Sequence, residues 1–306
     1  MKERTVYING KFVPESEAKI SIFDAGFCTG EGITEVTRTF KHKPFKLDEH
    51  IKRLYRSLKM TGIDPGMKTE EMTRLTLEVL KRNLPLIEED DDCCIVHNIT
   101  AGERGHPYFG GGAGSTTVVI YCAPVGFRWY ARQYETGIHL VTPSNRMYPP
   151  QCLDPKIKHR SRMYARIAEL QAKLVDPEAR ALLLDLEGNI SEGTGFNLFI
   201  VTDGVLRTPT TRNILAGISR ATVLELAEKM GIPAVEEDLQ PYDVYNADEA
   251  FYTSTSPCVL PVTKFNGAPI GDGVPGPITK RLLKAWSDLV GVDIVKQALD
   301  HMDDPQ

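Results

Sequence analysis

The first half of the chain alternates between strand-like and helix-like patterns of apolar residues. Residues 6–13 form two short apolar runs around Asn9-Gly10, a pair typical of a tight β-hairpin turn. A strand-like run follows at 33–40. Over 47–58 the apolar positions are spaced by four, three and four, which predicts a helix. A second helix and two further strands are predicted before residue 122.

The second half repeats this alternation with shorter strands. A strand is predicted at 138–142 and a helix at 164–174, where Tyr164, Ile167, Leu170 and Leu174 share one face. Residues 181–204 predict three strands, with a hairpin turn at Asp203-Gly204. Further elements are predicted at 217–230, 249–254 and 278–290. We therefore expect an α+β protein with a small N-terminal domain over 1–122, a linker over 123–135 and a large C-terminal domain over 136–306.

Composition narrows the range of partners. The 306 residues include 36 Lys and Arg against 41 Asp and Glu, so the formal net charge is -5 and the basic excess typical of nucleic-acid binding is absent. The chain has no apolar run long enough for a membrane span or a signal segment. Six cysteines without metal-ligand spacing predict no metal site. We expect a cytoplasmic protein that acts on small molecules and binds neither nucleic acid nor membrane.

Common catalytic motifs are missing, and this leaves four groups of polar residues. The chain has no phosphate loop, no dinucleotide-binding glycine pattern, and neither H-E-x-x-H nor G-x-S-x-G. The remaining candidates are Lys158, Glu192, the predicted helix start at 217–220 and the hydroxyl run at 254–256. A helix start beside hydroxyls suits a phosphate ester, and a desolvated lysine suits Schiff-base chemistry. Taken singly, each group also fits an ordinary structural role.

The order of these groups along the chain resembles the class IV aminotransferases. Lys158 is followed by Ile-Ser-Glu-Gly-Thr-Gly-Phe-Asn at 190–197, Ile-Leu-Ala-Gly-Ile-Ser-Arg at 214–220 and Ser-Thr-Ser at 254–256. The resemblance covers nearly the whole chain. It implies a two-domain, fold-type IV enzyme that uses pyridoxal 5'-phosphate, with a small α/β domain and a larger pseudo-barrel α/β domain. The family includes branched-chain, D-amino-acid and (R)-amine transaminases and aminodeoxychorismate lyases.

The resemblance also implies a role for individual residues. Lys158 would form the Schiff base with the cofactor aldehyde and move the proton of the substrate carbon. Lys156 is the rival lysine, but the second lysine of Asp-Pro-Lys-Ile-Lys at 154–158 matches the active position. Glu192 would keep the pyridine nitrogen protonated. The remaining cofactor-binding residues implied by the family are Arg53, Ile218, Ser219, Ser254 and Thr255 around the phosphate, and Leu215 on the ring face.

Substrate recognition is implied at four further residues, namely Thr34, Arg104, His106 and Ser256. Thr34 stands where relatives often carry an aromatic ring, and Arg104-Gly105-His106 resembles the carboxylate-binding pair of D-amino-acid aminotransferases. The branched-chain pattern has a tyrosine five residues after the lysine, whereas this chain has Met163 there and Tyr164 one position later.

Three donor classes remain open, namely D-amino acids and (R)-amines, which are slightly preferred, and branched-chain L-amino acids as the alternative, each with a 2-oxo acid as acceptor. Aminodeoxychorismate cleavage and a non-catalytic role are the alternatives, and the family implies a homodimer.

Overall fold

The computed structural model describes residues 3–103 and 114–303. The chain divides into two compact units. The first consists of Met1–Val125 together with Ile157–Ser161, and the second of Gly126–Lys156 together with Arg162–Gln306. The segment that contains Lys158 is thus part of the first unit although it follows the second unit's first strand in sequence. The domain boundaries expected from the sequence remain predictions.

The first unit contains a six-stranded sheet in the order β2-β1-β6-β5-β3-β4. Every neighbouring pair in this order is antiparallel. The helices α2 and α3 pack against β3 and β6 respectively. The elements of this unit are β1 (Thr5–Ile8), β2 (Lys11–Pro14), α1 (Ala25–Cys28), β3 (Gly32–Phe40), β4 (Lys43–Pro44), α2 (Leu47–Thr61), α3 (Thr69–Asn83), β5 (Cys93–Thr100) and β6 (Thr117–Pro124), with 3-10 turns at Glu15–Glu17 and Leu84–Leu86.

Helix α2 explains how the first unit positions polar groups beside its core. Ile51, Leu54 and Leu58 are buried on the face predicted from their spacing. His50 and Ser57 are buried as well, because residues three or four apart lie on the same side of a helix. Acidic residues in the first turn and Gly62 beyond the last turn complete the usual helix signals.

The second unit contains a nine-stranded sheet in the order β12-β11-β10-β13-β14-β7-β8-β9, with β15 paired to β14. Its helices are α4 (Gln133–Thr136), α5 (Met163–Val175), α6 (Ile218–Lys229), α7 (Pro241–Tyr245), α8 (Pro277–Val290) and α9 (Ile294–Asp300), after a 3-10 turn at Phe127–Trp129. Its strands are β7 (Ile138–Val141), β8 (Arg180–Leu184), β9 (Ile190–Gly193), β10 (Asn197–Thr202), β11 (Val205–Thr208), β12 (Ala234–Glu236), β13 (Glu249–Ser254), β14 (Cys258–Phe265) and β15 (Ala268–Pro269). The α+β prediction and the three strands predicted within 181–204 are confirmed.

Helix α5 has the predicted extent but an unusual distribution of side chains. Its inner face is made of alanines: Ala165, Ala168 and Ala172 are buried against the β7–β8 side of the sheet. Its outer face carries large apolar residues, with Met163 72%, Ile167 43%, Leu170 46% and Leu174 87% exposed. We call these four residues the outer stripe. The small inner residues allow close approach to the sheet, while the larger ones remain in contact with solvent.

Candidate functional site

The backbone of Lys158 is held by hydrogen bonds within the first unit. The N–H of Thr34 donates to the carbonyl of Lys158 at 2.9 Å, and the N–H of Arg160 donates to the carbonyl of Gly32 at 2.8 Å. On the other side, the N–H of Lys158 donates to Ser57 Oγ at 3.2 Å. The segment around Lys158 therefore pairs with the first residues of β3, and it is also hydrogen-bonded to α2.

Lys156, the other candidate lysine, is in a different environment. It is exposed and pairs with Asp154, with 3.0 Å between Nζ and Oδ1. Lys158 is half-buried and lies in the unit that contains α2 and β3, whereas Lys156 belongs to the second unit. A lysine near apolar and charged neighbours loses solvation more readily than one at the surface. The two candidate lysines therefore differ in solvation, with Lys158 the less exposed of the two.

A buried ionic cluster surrounds Glu35, which lies on β3 and is fully buried. Arg53 donates to both of its oxygens, from Nε to Oε2 at 2.9 Å and from Nη2 to Oε1 at 2.7 Å. His50 Nδ1 lies 3.0 Å from Oε1, and the N–H of Val36 donates to the same oxygen at 3.0 Å. His50 and Arg53 both come from α2, where a spacing of three residues places them on one side of the helix. We call Glu35, His50 and Arg53 the Glu35 cluster.

The surroundings determine the charge of each member of this cluster. Burial alone would raise the pKa of Glu35, but the Arg53 charge and the hydrogen bonds from His50 and Arg53 lower it well below its ordinary value. Burial lowers the pKa of His50, and the positive charges of Arg53 and Lys158 lower it further against the opposing effect of Glu35. A neutral His50 beside an ionised carboxylate must carry its proton on Nδ1 and donate it to Glu35.

A second buried histidine faces Glu35 from the neighbouring strand. His97 pairs with Glu35 in the register of β3 and β5, and burial lowers its pKa to about 4. Thr76 Oγ1 donates to the carbonyl of Met72 at 2.7 Å, so it accepts from His97 Nε2 at 2.8 Å. His97 Nδ1 is then a buried acceptor without a hydrogen-bond partner among the described residues. Protonating this nitrogen would create a buried donor with nothing to bind.

In the second unit, Glu192 lies on β9 and is buried. Its Oε2 accepts from the N–H of Leu215 at 3.0 Å and from Asn197 Nδ2 at 3.2 Å. Asn197 Nδ2 also donates to the carbonyl of Leu215 at 3.1 Å. Gly217 must lack a side chain, because a Cβ there would overlap Asn197 Oδ1. Asn197 thus fixes the orientation of Glu192 relative to the loop that precedes α6.

The start of α6 has the features of an anion site. Gly217 is the N-cap, no side chain caps the helix, and the first turn contains no acidic residue. The N–H groups of Ile218 and Ser219 lie in this first turn, where the helix dipole favours negative charge. Ser219 is buried. These groups are able to bind a phosphate ester.

Ser254, Thr255 and Ser256 lie at the end of β13 and in the turn that leads to β14. Two tyrosines hold this turn: Tyr130 donates to the carbonyl of Ser256 at 3.2 Å, and Tyr134 donates to the carbonyl of Pro257 at 2.7 Å. The three hydroxyl residues are half-buried, so they are accessible to a small ligand at a fixed point of the backbone.

The tyrosine nearest in sequence to the predicted reactive lysine is Tyr164, and Met163 before it is exposed in the outer stripe. Tyr164 packs edge-on against Tyr148, with ring centroids 4.9 Å apart. Burial raises the pKa of both phenols, and the charge of Glu192 contributes to each shift. Within the second unit, two phenols and a carboxylate therefore share one partly desolvated region.

The structure groups the predicted residues by unit. The first unit contains Lys158, Arg53 and Thr34, whose hydroxyl donates to the carbonyl of His97 at 2.9 Å. The second contains Glu192, Leu215, Ile218, Ser219, Ser254, Thr255 and Ser256. Arg104 and His106 lie outside the described residues. Sequence reasoning missed Glu35, His50 and Asn197, although a glutamate inside the strand-like run 33–40 was a visible signal.

Two absences hold for the described ranges, 3–103 and 114–303. No helix there is long and apolar enough to cross a membrane. No group of three or more His, Cys, Asp or Glu residues is arranged there to hold a metal ion.

Comparison with known proteins gives consistent matches along most of the chain. The sequence profile of the family described as amino-transferase class IV matches residues 32–265. A protein of Methanocaldococcus jannaschii assigned as a branched-chain-amino-acid aminotransferase is 37% identical over 93% of this chain and 96% of its own length. The D-alanine aminotransferase of Bacillus licheniformis is 33% identical, again over 93% of this chain and 96% of its own.

A solved structure extends this similarity to the fold. The T.th. branched-chain amino acid aminotransferase with pyridoxamine 5'-phosphate has a TM-score of 0.85 and 29% identity, and the match covers 95% of each chain. The similarity therefore extends over nearly the whole of this chain.

Proposed function

Because the chain belongs to the class IV aminotransferase family, we propose that its reactive amine is Lys158 and that Glu192 is the partner of the cofactor ring nitrogen. The protein is a fold-type IV transaminase that depends on pyridoxal phosphate and moves an amino group between an amino donor and a 2-oxo acid. The observation that carries the residue assignment is the hydrogen bonding of Lys158 to β3 and α2, which Lys156 lacks.

The side chains present fit the chemistry of this cofactor. Pyridoxal phosphate supplies an aldehyde for the donor amine and an electron-withdrawing ring. Its phosphate requires anion-binding groups, and the start of α6 has N–H groups that no side chain caps. Its ring nitrogen requires a carboxylate, and Glu192 is buried with an orientation fixed by Asn197 and Leu215. Its aldehyde requires an amine, which Lys158 provides.

Each residue then has a definite task. The Nζ of Lys158 would hold the cofactor aldehyde, and the same atom would move the proton of the substrate carbon. Glu192 keeps the ring nitrogen protonated. Leu215 would pack against the ring, while its N–H stabilises Glu192 through the 3.0 Å hydrogen bond.

We assign the phosphate to donors of several kinds. In the first unit the donor is the Arg53 guanidinium, and in the second the donors are the N–H groups of Ile218 and Ser219 and the hydroxyls of Ser254 and Thr255. Guanidinium and helix N–H groups form charge-assisted hydrogen bonds with phosphate oxygens, which are stronger than neutral ones.

For the amino donor we propose amino acids, with branched-chain L-amino acids first and D-alanine second. The 37% identity with the archaeal relative supports the first class, and the 33% identity with the D-alanine aminotransferase supports the second. Thr34 supports a roomy substrate site, because its side chain is small and its backbone N–H binds the carbonyl of Lys158. Ser256, Arg104 and His106 remain proposed substrate contacts, the last two as ligands of the donor carboxylate.

The reactive lysine is tested by comparing Lys158→Ala with Lys156→Ala. Purified wild-type protein should show the visible absorption of the lysine-bound cofactor, and a donor amine should bleach it. The Lys158→Ala variant should lose both this band and turnover, whereas Lys156→Ala should keep them because Lys156 is a surface residue. If the visible band is unchanged in Lys158→Ala, or is lost in Lys156→Ala, then Lys158 is not the reactive amine.

The donor class is tested with a panel that contains L-leucine, D-alanine and (R)-1-phenylethylamine, each with a 2-oxo acid acceptor. We expect L-leucine to give the highest kcat/KM. A higher value for D-alanine supports the second class, and a higher value for the amine excludes both. Aminodeoxychorismate without an acceptor is the control for lyase activity, because a lyase releases pyruvate from it.

We propose further that the protein is a homodimer whose interface includes the outer stripe of α5. The four residues are spaced by four, three and four, as in a helix–helix seam, and contiguous exposed apolar surface of this kind marks protein interfaces. A twofold axis would pair the stripe with its own copy.

The double variant Leu170→Glu/Leu174→Glu should be monomeric in light scattering. The control Leu289→Glu changes an exposed leucine of α8 and should remain dimeric. A dimer that persists in the double variant contradicts this interface. The expected cytoplasmic location stays a prediction, which fractionation of the source cells would test.

A further inference from the structure

Glu35 and His50 have no assigned part in the reaction, yet Glu35 binds the Arg53 guanidinium to which we assign the phosphate. Burying the Glu35 carboxylate together with the Arg53 guanidinium costs free energy, because both charged groups lose their hydration. The hydrogen bonds to the carboxylate include two from Arg53 and one each from His50 and the N–H of Val36. The arrangement therefore restricts the orientation of Arg53 more tightly than a single surface ion pair would.

We propose that Glu35 is a positioning residue for the cofactor phosphate, which it serves by fixing the direction of the Arg53 guanidinium with the help of His50. This inference rests on the proposed function, because it takes Arg53 as a phosphate ligand. Glu35 itself touches neither substrate nor cofactor in this scheme.

The geometry supports the proposal through the shape of the guanidinium. An arginine has five N–H donors in a rigid planar fork. Glu35 engages Nε and Nη2, which lie along one edge of that fork, at 2.9 and 2.7 Å. Because the group is planar, holding Nε and Nη2 also determines the direction of the Nη1 N–H groups. Two-point recognition of phosphate by arginine depends on that direction.

His50 restricts the carboxylate in turn. Its Nδ1 lies 3.0 Å from Oε1, the same oxygen that Arg53 Nη2 contacts. His50 is neutral, since burial lowers its pKa and both Arg53 and Lys158 add positive charge nearby. The other titratable neighbour is His97 on β5, whose pKa is lowered by burial so that it is also neutral near pH 7. In the described part of the unit, the charge that Glu35 balances is therefore that of Arg53.

Helix α2 also binds the backbone of Lys158. Ser57 accepts from the N–H of Lys158 at 3.2 Å and lies four residues after Arg53. The helix that carries the phosphate-binding arginine is therefore also bonded to the backbone of the reactive lysine. Loss of Glu35 should displace Arg53 and so weaken phosphate binding. The hydrogen bond between Ser57 and Lys158 should remain, because it does not involve Glu35.

The test compares how the enzyme binds pyridoxal phosphate and pyridoxal, which lacks the phosphate. Dissociation constants are measured by the visible absorption of the lysine-bound form after removal of the native cofactor. In Glu35→Gln we expect the dissociation constant for pyridoxal phosphate to rise about 10- to 100-fold, as for loss of a hydrogen bond between charged groups, and that for pyridoxal to stay within about threefold. A merely structural role would weaken both ligands equally.

Glu249→Gln is the matched control. Glu249 is also a buried glutamate on a strand, and its carboxylate accepts from the N–H groups of Ile278 and Thr279 and from the Thr279 hydroxyl, each at 2.8 Å. Its loss should lower stability without changing the preference for the phosphorylated ligand. If Glu35→Gln does not fold, two milder variants replace it: Glu35→Asp keeps the negative charge, and His50→Gln keeps a polar group. Both should reduce the preference for pyridoxal phosphate over pyridoxal by a smaller factor.

Failure of this inference and failure of the proposed function give different results. If the wild type binds pyridoxal phosphate no better than pyridoxal, or if Arg53→Met leaves the preference intact, Arg53 is not a phosphate ligand and the assignment itself is wrong. If Arg53→Met abolishes the preference while Glu35→Gln, Glu35→Asp and His50→Gln keep it, the function stands and the positioning role of Glu35 is refuted.

Discussion

The buried imidazole of His97 makes the stability of the first unit depend on pH. His97 is fully buried, its Nε2 donates to Thr76, and its Nδ1 has no hydrogen-bond partner in the described part of the chain. A proton on Nδ1 would place an unpaired donor and a positive charge in the core, where both are unfavourable. Replacing His97 with glutamine removes the titratable group and keeps an N–H for Thr76.

The size of this effect follows from the two pKa values. The native pKa is about 4, and the ordinary value is 6.5. The imidazole of His97 has a lower pKa in the native protein than in the unfolded chain, so below pH 6.5 the unfolded chain binds the proton more readily. The free energy of unfolding is therefore highest above pH 6.5 and decreases as the pH falls toward 4. At pH 5 the linkage relation gives a loss of about 2 kcal/mol relative to pH 7.

Urea unfolding followed by circular dichroism measures this loss. Between pH 7 and pH 5 the wild type should lose about 2 kcal/mol more unfolding free energy than His97→Gln, since every other titrating group is common to both proteins. The His42→Gln variant, which changes a less buried histidine, controls for loss of a histidine as such. Equal losses in the wild type and His97→Gln would refute the reasoning.

Three further predictions follow from the second unit. Glu192→Gln should lower kcat about 100-fold or more in steady-state assays and should change the dissociation constant of the cofactor less in spectrophotometric titrations, because it removes only the charge that we propose for the ring nitrogen. Gly217→Ala should displace Asn197, which costs about 1–3 kcal/mol and lowers the melting temperature, and should also weaken cofactor binding. Glu249→Gln should lower the melting temperature through the start of α8, with cofactor affinity unchanged.

Local signals explain why much of the fold was predictable. The turn residues Asn9, Asp203 and Asn266 have φ values of 46°, 52° and 46°, and each is followed by a glycine that also has positive φ. Few residue pairs adopt this conformation, so each pair predicts a hairpin by itself. The helical spacing in α2 and the strands within 181–204 are equally local properties of the chain.

Burial on α5 could not be predicted in the same way. Periodicity placed Ile167, Leu170 and Leu174 on one face of a helix, which is usually the inner face. The structure buries Ala168 and Ala172 instead, because the sheet approaches the helix closely enough to exclude larger side chains. The distance between the elements decides which face is covered, and that distance is a property of the folded chain rather than of the helix.

The candidate site shows the same division between local and distant information. Lys158 and Glu192 belong to short motifs that can be recognised residue by residue. The Glu35 cluster joins β3 to α2, and nothing in the sequence specifies which cation will meet Glu35 after folding. Two weak signals were present: a charged residue within an apolar strand, and a histidine and an arginine three residues apart on a predicted helix.

One side of α2 connects the two tasks proposed for the first unit. His50 and Arg53 hold Glu35, while Ser57 accepts from the N–H of Lys158. Hydrogen bonds along the backbone keep residues within two turns of a helix at fixed separations. The guanidinium that we assign to the phosphate and the peptide of the proposed reactive lysine are therefore held by one rigid element. A displacement of about 1 Å is enough to impair catalysis. Leu54 lies on the buried face of α2, and Leu54→Ala would leave a cavity that weakens the packing of this helix. We therefore expect Leu54→Ala to reduce turnover even in protein that remains folded.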